Sequence, residues 1–562
     1  MTSSPHIPRD PTAVEWDVAV IGTGMGGATA GCELAKLGHR VLFIEKGLFL
    51  HGNSRDLDND GMQPANAADD SPEARLRDGR WPQRLQGKTS FGEIEFFAPL
   101  GSGSGGSTAL YAAALERFSP VDFQPRANFP AARDSTLPDR WPISYEELRP
   151  FYERAEELFR VRGTPDPLRP WEEATLREPP GLSPRDQHFF DSFKQLGLHP
   201  YRIHVGYEFI DGCTECPAGP CVRGCKNDAG RICLLPALEK YGAGILPQCE
   251  ALKLEAGKSD ITEIRCRRNG EDLSIRAKVV VLAAGAYMTP VLLLNSKSEA
   301  WPEGLANRSG LVGRNLMLHV ADYIAVRPMK RLSSAGPQKS LAFNDFYHSE
   351  GEKLGAFQSV GAAVSLGRIM QYMRDVAEKD PAWWKKLASP RPVWWRKISS
   401  PAIRLIAMVM YHVLNFKNAA VWGMVIEDLP YHGNRVIADP RANSGMRFEY
   451  RYPEELKARV LSFRKRLAKA LGPHRMIVLS GDDNINYGHA CGTCRFGDDP
   501  RTSVLDRNNR AHDVSNLYVA DASFFPSSGG TNPSLTIAAN ALRVAQAIHR
   551  QLGEAPEVRD IS

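Results

Sequence analysis

The segment WDVAVIGTGMGGATAGCELAKLGHRVLFIEKG, from Trp16 to Gly47, leaves a chain little choice of fold. Asp17 to Ile21 is a short apolar, β-branched run that reads as a strand. Gly22, Gly24 and Gly27 follow at G-x-G-x-x-G spacing, and a helical stretch runs to Leu37 and stops at Gly38. A second strand ends at Glu45. Gly22 makes the tight turn, Gly24 lets the backbone approach a pyrophosphate, and Gly27 lets helix and strand pack closely. The helix N-terminus then faces the anion, and an acid at the position of Glu45 suits ribose hydroxyls. Gly22, Gly24, Met25, Gly27 and Glu45 are the expected cofactor contacts of this Rossmann-like unit. It calls for an adenine dinucleotide but does not choose between NAD and FAD.

Three further segments narrow the choice. GSGSGGSTALYAAALERF, Gly101 to Phe118, is a second glycine loop, with Gly105, Gly106 and Ser107 as contacts. KVVVLAAGAYMTPVLLLNS, Lys278 to Ser296, is a buried strand, a turn at Ala284 and Gly285, and a helix with Thr289 and Pro290 at its start. NLYVADASFFPSSGGTNPSLTIAANALRVAQAI, Asn516 to Ile548, is a strand, an acidic turn at Asp521 and Ala522, a glycine loop and a final helix. Asn532 reads as that helix's N-cap and Pro533 as its first residue. With LVGRNLMLH (Leu311–His319) and GHACGTCRFG (Gly488–Gly497), these pieces resemble the glucose–methanol–choline (GMC) oxidoreductases, a family of FAD-dependent alcohol-oxidising enzymes, from about Trp16 to Leu552.

The resemblance implies an α/β (α+β) fold: a Rossmann-like FAD-binding domain from 13–135, 226–318 and 485–552, and a substrate domain from 136–225 and 319–484. The second domain would hold an antiparallel sheet with helices. Within it, Trp141–Phe159 reads independently as an amphipathic helix with a Ser144/Glu147 capping box.

The resemblance also assigns His489 and Asn532 as the catalytic pair. Oxidising an alcohol removes a hydroxyl proton and a carbon-bound hydride. Imidazole, with an ordinary pKa near ~6.5, suits the proton. The Asn532 amide is no base, but it can hold the substrate oxygen. FAD would take the hydride, and oxygen, a quinone or a redox protein would take the electrons. The expected substrate is a small-molecule sugar, polyol, glycoside or other alcohol. A non-redox flavoprotein lyase of the same fold and an electron-transfer subunit with a cysteine-ligated cluster are the alternatives. His319 reads as structural or as lining the cavity, and His512 as an ordinary loop residue.

Cys213, Cys216, Cys221 and Cys225 form a C-x2-C-x4-C-x3-C loop. Thiolates so crowded can hold a cluster or zinc, but the spacing matches neither zinc ribbons nor the common ferredoxin run. A structural loop with free thiols or a disulfide is the expectation, and no metal is assigned. Cys491 and Cys494 read as packing. Residues 380–416 combine four Trp, five Lys/Arg before Ser399 and a short apolar stretch. They read as a lid, with membrane-surface contact as the alternative. Lys and Arg total 70 against 65 Asp and Glu, too even a balance to argue for nucleic acid. The polar, Pro-rich start does not read as a secretory signal, so a cytoplasmic location is expected. Export with a signal-bearing partner subunit stays open.

Overall fold

A computed structural model describes residues 7–50, 71–170, 172, 174–213, 215–216, 219–363, 408–409, 418–481 and 484–553. The Trp-rich stretch 380–416, apart from residues 408–409, lies outside them. Among the described residues, no helix is long and apolar enough to cross a membrane.

Five parallel strands lie side by side in one sheet: Gly244–Leu246, Val41–Ile44, Glu15–Ile21, Glu271–Leu282 and Leu517–Val519. Val41–Ile44, Gly244–Leu246, Leu517–Val519 and the ends 18–21 and 279–282 of the two longer strands are apolar and buried on both faces, as parallel strands under helices must be. The long strand Glu271–Leu282 serves two partners. Its second half pairs with Glu15–Ile21, while its first half joins an antiparallel meander with Cys249–Ala256 and Ile261–Arg268. Alternation marks the change, because residues 272–278 are exposed every second position and 279–282 are wholly buried. The first helix, Met25–Lys36, packs on the final helix, Ser534–Leu552, so the two ends of the chain share one core.

A six-stranded antiparallel sheet stands opposite, ordered Arg475–Val478, Val320–Arg327, Ala420–Ile426, Gly355–Ala363, Leu341–Phe343 and Tyr201–Arg202. One face packs Trp422 and Phe357, stacked 5.0 Å apart, against Phe189, Phe193 and the helix Glu454–Ala470. The other face turns Tyr323, Gly423, Gln358 and Val360 toward the cavity between the sheets. A four-stranded sheet of Leu85–Thr89, Gly92–Phe96, Arg435–Ala438 and Met446–Tyr450 stands beside it.

The capping box forms: Ser144 Oγ accepts from the Glu147 amide at 3.2 Å, and Glu147 accepts from the Ser144 amide at 2.8 Å. Two helix starts differ from expectation. Pro533, not Asn532, caps the final helix, because the Asn532 amide oxygen is taken by Gln358 Nε2 at 2.6 Å. Thr289 and Pro290 lie inside the helix Gly285–Asn295 rather than at its start. Pro290 has no N–H for the Ala286 carbonyl one turn back. The Thr493 hydroxyl supplies that bond at 2.7 Å, which ties the helix to the histidine turn.

Beneath the glycine loop that precedes Asn532 lies a buried charge cluster. Lys353 Nζ pairs with Asp122 and Glu427, and all three side chains are fully buried. Glu427 Oε1 also accepts from the Gly529 amide at 3.2 Å, and Tyr347 Oη accepts from that of Gly530 at 3.0 Å. Burial alone would lower the lysine's pKa, but the two carboxylates raise it. Removing the cation leaves two buried carboxylates uncompensated, so Lys353→Met should cost ~3–5 kcal/mol, read as a drop in the urea unfolding midpoint.

Candidate active site

A cavity of about 930 Å³ runs from the first glycine loop to the antiparallel sheet, within the range that holds large ligands. Gly22, Gly24, Met25, Glu45, Gly106, Ser107, Ala284, Gly285, Asp521, Ala522, Asn532, Pro533 and His489 all line it. Gly27 and Gly105 do not. A Cβ on Gly27 would sit 2.1 Å from the Gly22 carbonyl, so it works in packing, and Gly105 abuts Asp228 and Gly230 at φ +85°.

FAD fits what the residues leave open. A Cβ on Gly24 would meet no protein atom within 4 Å; it would project into free space at the N-terminus of the first helix. That is the vacant volume and positive helix end that a pyrophosphate needs. Glu45 reaches the same wall with both oxygens engaged. It accepts from the Thr23 amide and hydroxyl at 3.0 and 2.7 Å, and from the amides of Gly47 and Gly103 at 2.8 and 3.2 Å. It therefore clamps both glycine loops as well as facing the ligand volume. Asp521 is similar: it accepts from the Gly285 amide at 2.8 Å, the Thr289 hydroxyl at 2.5 Å and the Ser523 amide at 2.8 Å.

The opposite end carries His489, on a short turn (Tyr487–His489) begun by Asn486. Segment 317–320 pairs with 485–491: Met317 and Cys491 exchange amide bonds at 3.0 and 3.1 Å, and the Asn486 amide donates to His319 O at 2.7 Å. This pairing sets two histidines edge to face with Nδ1 to Nδ1 at 2.9 Å. His319 Nε2 lies 2.9 Å from the Gly529 carbonyl and 3.1 Å from that of Ser528. Carbonyls only accept, so His319 carries its proton on Nε2. Burial pushes its pKa down to about 4, so the ring is neutral and Nδ1 is an acceptor. His489 must then donate from Nδ1, which leaves its Nε2 lone pair for the cavity. Burial first, then His319 and Lys339, push His489 down to about 3.

Asn532 is oriented in the same way. With its oxygen held by Gln358 Nε2, its amide Nδ2 is the donor left for the cavity. Sequence reading missed Gln358, one of two polar residues (with Ser359) in the otherwise apolar strand Gly355–Ala363, and Lys339 just ahead of the strand Leu341–Phe343. His319 was legible only as a histidine ending the LVGRNLMLH stretch. His512 bonds Ser503 Oγ at 2.9 Å, outside the cavity lining.

The cysteine loop does draw together. Cys225 Sγ lies 3.3 Å from both Cys213 Sγ and Cys221 Sγ. The loop wraps the buried Lys226, whose ammonium donates to the carbonyls of Ala109, Cys216 and Gly219 at 3.2, 2.7 and 2.7 Å. Among the described residues, no group of three or more His, Cys, Asp or Glu has a metal-holding arrangement. Cys491 and Cys494 are buried in the core.

Two sequence models described as GMC oxidoreductase match residues 25–321 and 466–541. The chain is 27% identical to the 6'''-hydroxyparomomycin C oxidase of Streptomyces lividus, over 96% of this chain and 92% of that one. It is 28% identical to the paromamine 6'-oxidase of Streptomyces fradiae, over 95% and 91%. The fold is similar to the crystal structure of pyridoxine 4-oxidase from Mesorbium loti, with TM-score 0.60 and 20% identity over 95% of this chain and 99% of that one. Gly24→Val should fill the pyrophosphate volume and abolish FAD retention, measured as flavin absorbance per polypeptide after purification, without loss of the folded far-UV signal.

Proposed function

The chain belongs to the GMC oxidoreductases, and on that premise we propose that His489 accepts the substrate's hydroxyl proton at Nε2 while the Asn532 amide holds the same oxygen. The protein is an FAD-dependent enzyme that oxidises the CH–OH group of an alcohol. Bound FAD would supply the hydride acceptor, and Gly22, Gly24, Glu45, Gly106, Ser107 and Gly285 would line its seat. The observation that carries this reading is the Nδ1-to-Nδ1 contact of His319 and His489. It leaves one basic nitrogen on the wall of a cavity that Asn532 also lines, and the donor of that amide has no partner among the described residues. We read the substrate as a sugar, polyol, glycoside or other small alcohol. The acceptor is oxygen, a quinone or a redox protein.

A base must be unprotonated to act. The sequence alone suggests an ionisation near ~6.5, with activity rising through it. The structure moves that ionisation well down, for burial and the neighbouring His319 both oppose a charge on His489. A lowered histidine pKa keeps the base form at every pH above it. The rate of flavin reduction should therefore be flat in His489 ionisation from about pH 5 to 8, with no acid limb near ~6.5. Stopped-flow reduction across that range checks it.

His489→Ala should keep FAD and slow flavin reduction by ~10²–10⁴, the usual worth of a positioned base. Asn532→Ala should cost less, and the double variant less than the product of the two losses, since both act on one oxygen. His319 is a positioning residue. His319→Leu should slow reduction by ~10²-fold by releasing the tautomer. His319→Gln should restore much of the rate, because its amide can donate to the two carbonyls and accept from His489.

A further inference from the structure

We propose that the alcohol oxidised here carries an anionic oxygen group, a carboxylate or a phosphate, and that Lys339 on the cavity wall binds it. The proposal rests on the alcohol-oxidising reading above and adds the class of substrate.

Lys339 precedes the strand Leu341–Phe343, which pairs with Gly355–Ala363, the strand that brings Gln358 and Val360 into the cavity. It lines the same cavity as His489 and Asn532, yet only 5% of it is exposed. Its stem lies on the bare backbone of Gly361, where a Cβ would come within 3.2 Å of the Lys339 Cβ and 3.6 Å of its Cδ. Its ammonium makes no hydrogen bond or ion pair with any described residue. The other buried cations among the described residues are all occupied. Lys353 meets two carboxylates, Lys226 three carbonyls, Arg117 the carboxylate of Glu156, and Arg185 that of Asp186. A buried charge with no partner is costly to keep, and a fold that pairs the others has left this one facing the substrate volume.

Burial lowers the Lys339 pKa to about 8, which still leaves it charged at neutral pH, and the two carboxylates that favour its charge, Glu116 and Glu215, do not pair with it. Glu116 pairs with His204 Nδ1 at 3.2 Å and accepts from Tyr201 Oη at 3.1 Å and the His204 amide at 3.0 Å. Although burial opposes it, Glu116 holds His204 up at about 9, so that pair cancels its own charge. Glu215 is spent on the amides of Gln338 and Lys339 at 2.6 and 3.1 Å, and burial pushes its carboxyl up toward the neutral form. It fixes the backbone that presents Lys339. Lys339 and His489 line one cavity, so the two ends of one small molecule can meet them. Gln358 adds a buried amide oxygen without a partner at the same wall, an acceptor for a hydroxyl between the two ends. An alcohol bearing a cation would be repelled, and a neutral one would leave the ammonium desolvated.

The test is stopped-flow reduction of the FAD-loaded enzyme by matched alcohols: glycolate, 4-hydroxybutyrate and 6-hydroxyhexanoate, each against its methyl ester and against the phosphate monoester of the corresponding diol. At one length or more, an anion should exceed its ester in kcat/KM by ~10- to 100-fold, the worth of a charge-assisted hydrogen bond. Whether carboxylate or phosphate gains more tells which group the site takes. In Lys339→Met the ratio should collapse toward one, and Lys339→Arg should keep much of it. Lys339→Met should also raise the thermal midpoint, because it removes an unpaired buried charge; a structural lysine would lower it. Esters that match or exceed their anions at every length in the wild type would overturn the proposal and leave alcohol oxidation standing. So would a ratio that survives Lys339→Met, or Lys339→Gln should the first variant fail to fold. A flavin that no alcohol reduces, charged or neutral, would instead remove the alcohol-oxidising reading and the proposal with it.

Discussion

Two neutral imidazoles meeting at Nδ1 fix the chemistry of this cavity. A buried histidine alone is an ambiguous base, because either nitrogen can carry the proton. Here the ambiguity is removed in steps. The carbonyls of Ser528 and Gly529 hold the His319 proton on Nε2, His319 in turn accepts from His489, and His489 is left basic at the cavity. The same arrangement answers a difficulty. A base whose conjugate acid is disfavoured by burial is a weak proton acceptor at equilibrium. Once Nε2 of His489 is protonated, however, the Nδ1 proton can move toward His319. The charge then comes to a ring already bonded to two carbonyls, which favour a cation.

That sequence of bonds needs the loop 527–530 to stay where it is. Its amides are held by Glu427 and Tyr347, and the Ser528 hydroxyl donates to Asp428 O at 2.9 Å. Lys353 joins Glu427 to Asp122, which accepts from Tyr347 and from the Ser119 amide, both at 2.6 Å. The histidine turn is fixed separately through Thr493 and the carbonyl freed by Pro290. The placement of His489 and of Asn532 thus rests on bonds made by distant segments rather than on the local turns alone.

What could be read from the sequence follows how local each constraint is. The first glycine loop was legible because strand, turn, helix and acid lie within about thirty residues. The acid's four hydrogen bonds were not, since Gly103 comes from another loop. Gly26 shows the same limit: a Cβ there would lie 2.0 Å from the Ala520 carbonyl, a contact that exists only once the two chain ends pack. Asn532 lines the cavity as expected but was misread as a cap, because its true partner, Gln358, lies 174 residues away. His489 was legible through its motif. Its depressed pKa was not, for that depends on burial and on His319. Lys339 and Gln358 carry no local signal at all, since which face of a sheet a residue occupies is settled by register with its neighbours.

The central claim is a tautomer, and neutron diffraction from deuterated, FAD-loaded crystals near neutral pH observes it directly. The account requires a deuteron on Nδ1 of His489, none on its Nε2, and one on Nε2 of His319. A deuteron on the cavity-facing Nε2 of His489 would contradict it, because the nitrogen assigned to take the substrate proton would already hold one.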